Sequence, residues 1–396
     1  MLVAGCCGGQ NDMQLTRRQI MTATVGAVLG AHAGAVGAQV EPKPARVGPP
    51  SPPERAEIAA LGRAFMDTYG VPALSFAVGY AGEIVHQDAW GFADLQGQEA
   101  VTPQHLFRIA SVSKPITSIA LHRLIEQGRV RLGDRVFGPG AVLGTDYLAP
   151  PYNPGVDQIT IEHLLTHTCG GWSNDNRDPM FAFPMRSQSE LINWTLTHRP
   201  LDHPPGEAYS YSNYGYCLLG RVIEKLTGRA YADHVRAEVL GRCGVTDMTI
   251  GGNRRDQRQP REVEYLSADE NAYGMNVTRM DSHGGWIARP ADLVQLFMHV
   301  DGFTRPANIL RGDTIKTMTT GSRANKDYAK GWSVNTFDNW WHTGSLPGTT
   351  TIAVRTHSGF CWAAFTNTRR RGSKMDGDLD QLCWSMVRKV DGWKFA

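Results

Sequence analysis

Apolar residues at helical spacing open the readable part of the chain: Ile58, Leu61 and Phe65 form one stripe that stops at Gly70. Ser51-Pro52-Pro53-Glu54 ahead of it is a capping-box pattern with proline in the first turn, so the helix should begin there. Residues 73–80 and 84–90 then flank Ala81-Gly82 as the two strands of a hairpin would. A second helical stretch carries Ile116, Ile119, Ala120, Leu121, Leu124 and Ile125, apolar nearly all round, and stops at Gly128. Such a helix is buried. Residues 135–300 hold the longest irregular stretches, broken by helical patterns at Leu219, Val222, Ile223 and Leu226 and at Leu293, Leu296, Phe297 and Val300. They read as a helical lobe. Strand patterns return over residues 331–335, 339–343, 350–355 and 361–366, with a closing helix near 378–390. About 350 folded residues exceed what one compact core usually holds, so two lobes sharing a cleft are expected.

The first 51 residues do not fit that pattern. Thr16-Arg17-Arg18-Gln19-Ile20-Met21, a small-residue apolar stretch from Thr24 to Ala35, and Val36-Gly37-Ala38 resemble a twin-arginine export signal with its cleavage site. Residues 1–38 are therefore expected to be a leader, 39–51 a proline-rich linker, and the protein periplasmic or secreted. The apolar stretch is too short and too rich in glycine and alanine for a stable membrane span. The chain carries 40 Lys and Arg against 38 Asp and Glu, a formal charge of +2, with no basic run. That balance argues against nucleic acid and for a small-molecule or peptide substrate. Of seven cysteines, Cys6 and Cys7 fall in the leader; Cys169, Cys217, Cys243, Cys361 and Cys383 remain. An odd remainder is no disulfide framework; buried thiols are expected, with one pair left open.

Candidate chemistry centres on Ser111-Val112-Ser113-Lys114-Pro115. Residues three apart on a helix share a face, so Lys114 can take the Ser111 proton. Pro115 lacks an N–H and is tolerated in the first turn, which puts the helix start near Val112 and Ser111 at its positive end. A capped helix with a surface lysine would look the same, so the motif needs company. It comes from Tyr211-Ser212-Asn213 and from His342-Thr343-Gly344-Ser345. His163 and His167, four apart, lack the adjacent glutamate of a His-Glu-x-x-His site, and no metal or other cofactor is expected. No Gly-x-Ser-x-Gly occurs, which excludes an α/β-hydrolase nucleophile elbow.

Ser-x-x-Lys, Tyr-x-Asn and His-Thr-Gly in this order resemble the serine β-lactamase and penicillin-recognising family, in particular its class C β-lactamase, DD-peptidase and family VIII esterase branch. Ile159-Thr160-Ile161-Glu162-His163-Leu164-Leu165-Thr166-His167-Thr168-Cys169-Gly170 and Pro205-Gly206-Glu207 strengthen the likeness, which spans roughly residues 54–390. It implies an α/β fold: one antiparallel sheet flanked by helices, built from about 52–110 and 325–396, beside a mainly helical lobe from about 111–324. It also implies Ser111 as nucleophile, Lys114 and Tyr211 sharing the proton work, and His342 on a cleft strand. Tyr211 would need a nearby cation to act as a base. Asn213 would offer its amide to a substrate carbonyl and to Lys114. Thr343 and Gly344 would border the substrate, with Gly344 leaving room for it, and the Ser345 and Ser111 N–H groups would form the oxyanion hole. Histidine in place of the usual lysine weakens a carboxylate anchor, favouring an esterase or peptidase over a dedicated β-lactamase. A neutral His342 would orient Tyr211 or the substrate, with turnover rising through the histidine pH range. Residues 172–186 and 252–283 are candidate specificity loops. The expected activity is hydrolysis of a small ester, amide or peptide through an acyl-enzyme. A penicillin-binding sensor, or a DD-carboxypeptidase-like protein acylated with little turnover, is the alternative.

Overall fold

The computed structural model describes residues 47–393. The expected leader, and the linker up to residue 46, lie outside the described residues. Among the described residues no helix is long and apolar enough to cross a membrane.

The first helix, α1 (Pro52–Tyr69), starts at the expected capping box, where Glu54 Oε2 accepts from the Ser51 N–H at 2.6 Å and its hydroxyl at 2.7 Å. It stops at Gly70, whose φ of 60° is left-handed. Strands β1 (Ala73–Tyr80) and β2 (Glu83–Gly91) follow, joined through Ala81 and Gly82 with φ of 50° and 89°. Two positive φ values in a two-residue loop match the right-handed twist of a hairpin. Helix α2 (Ser113–Glu126) carries Lys114, and α3 (Asn213–Thr227) begins just after Tyr211. Helix α4 (Pro290–Met298) precedes strands β3 (Ser333–Val334), β4 (Trp340–Leu346), β5 (Thr349–Arg355) and β6 (Phe360–Thr366), and α5 (Met375–Val387) closes the fold.

The six strands form one antiparallel sheet in the order β2-β1-β6-β5-β4-β3. The N-terminal hairpin joins the C-terminal strands through β1 and β6, from Leu74 opposite Thr366 to Tyr80 opposite Phe360. Alternation along β1 decides what each face receives. Leu74, Phe76 and Val78 point with Ile352, Val354 and Trp362 toward α1 and α5, where Ile58, Phe65, Leu379 and Met386 bury against them. Each such large side chain contributes about 1.5–3 kcal/mol. Ala73, Ala77 and Ala363 face the other way, toward α4. These small residues let that helix lie close: a Cβ on Gly79 would sit 2.5 Å from Val294 Cγ1.

This is the α/β architecture expected, with one reassignment. The Leu293, Leu296 and Phe297 helix was placed in the helical lobe, yet α4 packs on the sheet. Its stripe records that one face is covered and says nothing of what covers it. The remaining segment holds α3 and shorter helices such as Ile161–Leu165 and Gln188–His198. A second small sheet went unforeseen, in which Phe107–Arg108 pairs with Trp286–Ala288, and that strand with Thr249–Ile250. Strands of two or three residues carry no readable periodicity. All five cysteines among the described residues are free and buried.

Candidate active site

Ser111 lies in a single 3-10 turn, Ala110–Val112, immediately before α2. The turn is held from several sides. Arg108 pairs with Ile287, the Ile109 N–H donates to Trp286 O at 3.0 Å, and Thr351 Oγ1 donates to Ile109 O at 2.9 Å. Ala110 is fully buried with φ of 48°, a left-handed value that costs a residue with a Cβ roughly 1–2 kcal/mol. Strain of this kind persists only where surrounding contacts over-determine it. Gly344 supplies one of them. A Cβ there would lie 2.2 Å from Ile109 O and 2.4 Å from Thr351 Oγ1, so the glycine makes room for the nucleophile's own backbone rather than for substrate. Thr343, next to it, is exposed, and Ser345 is half-buried on the same strand.

Lys114 is fully buried at the foot of the turn. Its Nζ lies 3.1 Å from Ser111 Oγ, 2.7 Å from Asn213 Oδ1 and 3.0 Å from the His283 carbonyl oxygen. Burial drives its pKa well below the ordinary lysine value, shifting it toward the neutral amine, and the Asp178 carboxylate opposes that shift. A neutral amine has two hydrogens and one lone pair. Asn213 Oδ1 and His283 O can only accept, so they take the hydrogens and the lone pair faces the Ser111 hydroxyl. Tyr211 packs beside it, with Lys114 Nζ 4.8 Å from its ring centroid. Burial raises the Tyr211 phenol above its ordinary value, which contact with Ser111 only partly offsets, so it rests as a neutral phenol. The same burial works against the charged form of the lysine beside it, and so weakens the cation that would favour a phenolate.

Asn213 differs from expectation. Its Nδ2 donates to Asp178 Oδ2 at 2.9 Å and to Asn174 Oδ1 at 3.0 Å, so the amide is committed to protein acceptors rather than offered to a substrate. Neither acceptor was singled out from the sequence, since Asn and Asp in a loop read as turn formers.

His342 is buried and neutral. Burial and the neighbouring Lys114 push its pKa down to about 3, while its bond to the Thr343 carbonyl works the other way. Its side-chain hydrogen bonds run to Tyr328 and to the Thr343 carbonyl, and among the described residues none joins it to Tyr211. Instead it ends a chain whose direction is fixed at both termini by backbone. The Ser212 N–H donates to His167 Nδ1 at 3.1 Å, which places the His167 hydrogen on Nε2, 3.1 Å from the Tyr328 hydroxyl. At the far end Thr343 O accepts from His342 Nδ1 at 2.6 Å, leaving His342 Nε2 to accept from Tyr328 at 3.1 Å. Both tautomers follow from donors and acceptors alone. The chain ties the Tyr211 loop to β4, and the His167 ring packs 4.2 Å from that of Tyr211. His163 instead accepts from the Thr160 N–H through Nδ1 at 3.2 Å. The two histidines thus serve separate networks.

This overturns the expected histidine pH range: with a pKa of about 3, His342 does not titrate between pH 5 and 9. The linkage sign follows, since the unfolded ring, near 6.5, binds its proton first. Stability contributed by neutral His342 is present above pH 6.5 and falls as pH drops from there toward 3. Lysine at 342 would be a donor facing a hydroxyl that already accepts from His167. The Tyr328 hydrogen would lose its acceptor in a buried site, at about 1–3 kcal/mol, with a buried charge added. His342→Lys should therefore lower stability in urea unfolding by about 2 kcal/mol or more and gain no preference for carboxylate substrates. A fully stable variant with raised kcat/KM on nitrocefin would contradict the chain.

The two candidate specificity loops are tied together. Arg279 donates through Nη2 to Met180 O and through Nη1 to the carbonyls of Phe183 and Arg186, and Asn276 Nδ2 donates to Pro184 O. Beyond β6, the Arg369 guanidinium reaches Ser345 Oγ at 3.5 Å and is already paired with Glu270.

A sheet faced by helices, with a serine at a helix start against a buried lysine and a tyrosine, defines a penicillin-recognising serine-hydrolase scaffold. The chain belongs to the β-lactamase family, whose model matches residues 58–382. It is similar to a penicillin-binding protein of Bacillus subtilis (strain 168), 25% identical over 69% of this chain, and spans 63% of that relative's length. A putative D-alanyl-D-alanine carboxypeptidase of Escherichia coli (strain K12) is 24% identical over 67% of this chain and 69% of its own. Among solved structures, the D-amino acid amidase from Ochrobactrum anthropi SV3 superposes with a TM-score of 0.68 at 21% identity, covering 84% of this chain and 98% of that one. The octameric penicillin-binding protein homologue from Pyrococcus abyssi gives 0.66 at 20% identity, with 85% and 79% covered. These two likenesses are of fold.

Proposed function

We propose that the protein is a serine hydrolase that cleaves a small ester or amide through an acyl-enzyme on Ser111. The observation that carries this is the fully buried Lys114, whose Nζ lies 3.1 Å from Ser111 Oγ while Asn213 Oδ1 and His283 O take up its other contacts; burial favours its neutral form, in which the lone pair faces that hydroxyl. As Ser111 Oγ bonds to the substrate carbonyl carbon, its proton moves to Lys114 and the carbonyl electron pair moves to oxygen. The Ser111 and Ser345 N–H groups are the proposed donors to that oxyanion. Collapse expels the alcohol or amine, which takes the proton from Lys114 by way of the Tyr211 hydroxyl. Water then attacks the acyl-enzyme with the same groups in reverse, and Ser111 regains its hydrogen.

An ester or an amide without a carboxylate is favoured over a β-lactam. Support comes from the uncharged His342 and from Arg369, whose charge is already met by Glu270. The curated relatives named as a penicillin-binding protein and a carboxypeptidase support the acyl-enzyme class. The test is stopped-flow hydrolysis of p-nitrophenyl esters, D-amino-acid amides and peptides, and nitrocefin. The reading predicts a burst near one equivalent, then continued turnover, with kcat/KM higher on the best ester or amide than on nitrocefin. A stoichiometric burst with no steady state on any of them would make the protein an acylated sensor instead.

A further inference from the structure

We propose that Asp178 is a positioning residue for Ser111 acylation: its carboxylate is the obligate acceptor that fixes the direction of an Asp178–Asn213–Lys114 hydrogen-bond chain. The inference rests on the serine-hydrolase reading and deepens it.

Asp178 is 1% exposed, and among the described residues no cation reaches it within salt-bridge distance. A carboxylate buried without a cation is costly to keep. Capping explains half of its contacts: Oδ1 accepts from the Met180 N–H at 2.9 Å, at the start of the short helix Pro179–Ala182. Asparagine would cap equally well. The other oxygen accepts from Asn213 Nδ2 at 2.9 Å, and there only an acceptor will do.

The Asn213 amide can be satisfied in one orientation. With Nδ2 toward Asp178 and Asn174, Oδ1 is left to accept from Lys114 at 2.7 Å. A donor at 178 sets NH2 against NH2, and one amide must turn. If Asn213 turns, its NH2 faces Lys114 and takes up the amine's lone pair. Lys114 then presents a hydrogen to Ser111 and can no longer remove one. A single polarity inversion two residues away thus disables the base without moving it.

Protonation of Asp178 causes the same inversion. Burial raises its pKa to about 6, against the lowering effects of the Asn213 and Met180 bonds and of Lys114. The ionisable groups around it are Lys114 on α2, Arg279 from the segment that grips Met180, Tyr211 ahead of α3, and Asp175 on its own loop. A carboxyl raised in this way is charged above about pH 6, so the correct polarity is present there and lost below.

The test is the second-order rate of Ser111 labelling by a fluorescent fluorophosphonate from pH 5 to 9, with Tm measured alongside. Wild type should lose rate as pH falls through about 6. Asp178→Asn should label at least 30-fold more slowly at pH 8, with that acid limb absent. A variant within threefold of wild type, or a limb persisting near pH 6, would overturn the proposal. Should Asp178→Asn fail to fold, Asp178→Ser, which keeps a hydroxyl cap, is read for the same limb with the same two outcomes. Wild-type protein that does not label at Ser111 would refute the hydrolase reading itself; normal wild-type labelling with an indifferent variant would refute only this inference.

Discussion

Lys114→Met is expected to slow acylation of Ser111 by roughly 10³-fold or more, within the range that a positioned base supplies to proton transfer. Methionine keeps the length and apolar stem of the lysine, so the space around α2 stays filled. What disappears is the lone pair 3.1 Å from Ser111 Oγ and the donor that bridges Asn213 Oδ1 to the His283 carbonyl. Those two acceptors then stand unpaired, at about 1–3 kcal/mol each, so a fall in Tm should accompany the kinetic loss. Labelling rates separate the effects when measured well below that Tm. If Tyr211 were the resting base, Lys114→Met would retain a rate within tenfold of wild type, and the assignment of the base to Lys114 would fail.

Gly344→Ala should be the next most damaging change. Its Cβ would fall 2.2 Å from Ile109 O and 2.4 Å from Thr351 Oγ1, and neither neighbour is free to leave. Ile109 is fixed by the Trp286 carbonyl and by Thr351, and Thr351 sits opposite Gly344 in the sheet. Either β4 or the Ser111 turn must shift by about 1 Å, a displacement that can cost roughly 10²-fold in rate. Overpacking of this kind adds about 1–3 kcal/mol of destabilisation. We expect kcat/KM for a p-nitrophenyl ester to fall by about 10²-fold, carried mainly by kcat, together with a lower Tm. Activity within threefold of wild type would show that β4 does not support the nucleophile turn.

The sequence was most legible where local chemistry dictates local structure. The capping box at Ser51, the Ala81-Gly82 hairpin and the buried α2 all sit where apolar spacing and turn residues place them. It was less legible where partners lie far apart in the chain. The apolar stripe of α4 could not say that the sheet covers it. Asn213 was read through a family role, but the direction of its amide depends on Asp178 and Asn174, some 35–39 residues earlier. His342 was expected to orient Tyr211 or the substrate; its side-chain partner is Tyr328, and nothing in the spacing around Tyr328 marks it. His167 drew notice as a possible metal ligand, whereas its two nitrogens are already used by Ser212 and Tyr328. Gly344 belongs to a motif that suggests room for substrate; only the approach of Ile109 and Ala110 shows what the room is for.

The central claim is that Ser111 is the group that becomes acylated. Intact-protein mass spectrometry after reaction with a fluorescent fluorophosphonate, followed by peptide mapping, tests it most directly. The account predicts one adduct per chain, located on the peptide containing Ser111, and no adduct in a folded Ser111→Ala variant. Full labelling of that variant, or an adduct mapped to another residue in wild type, would contradict it.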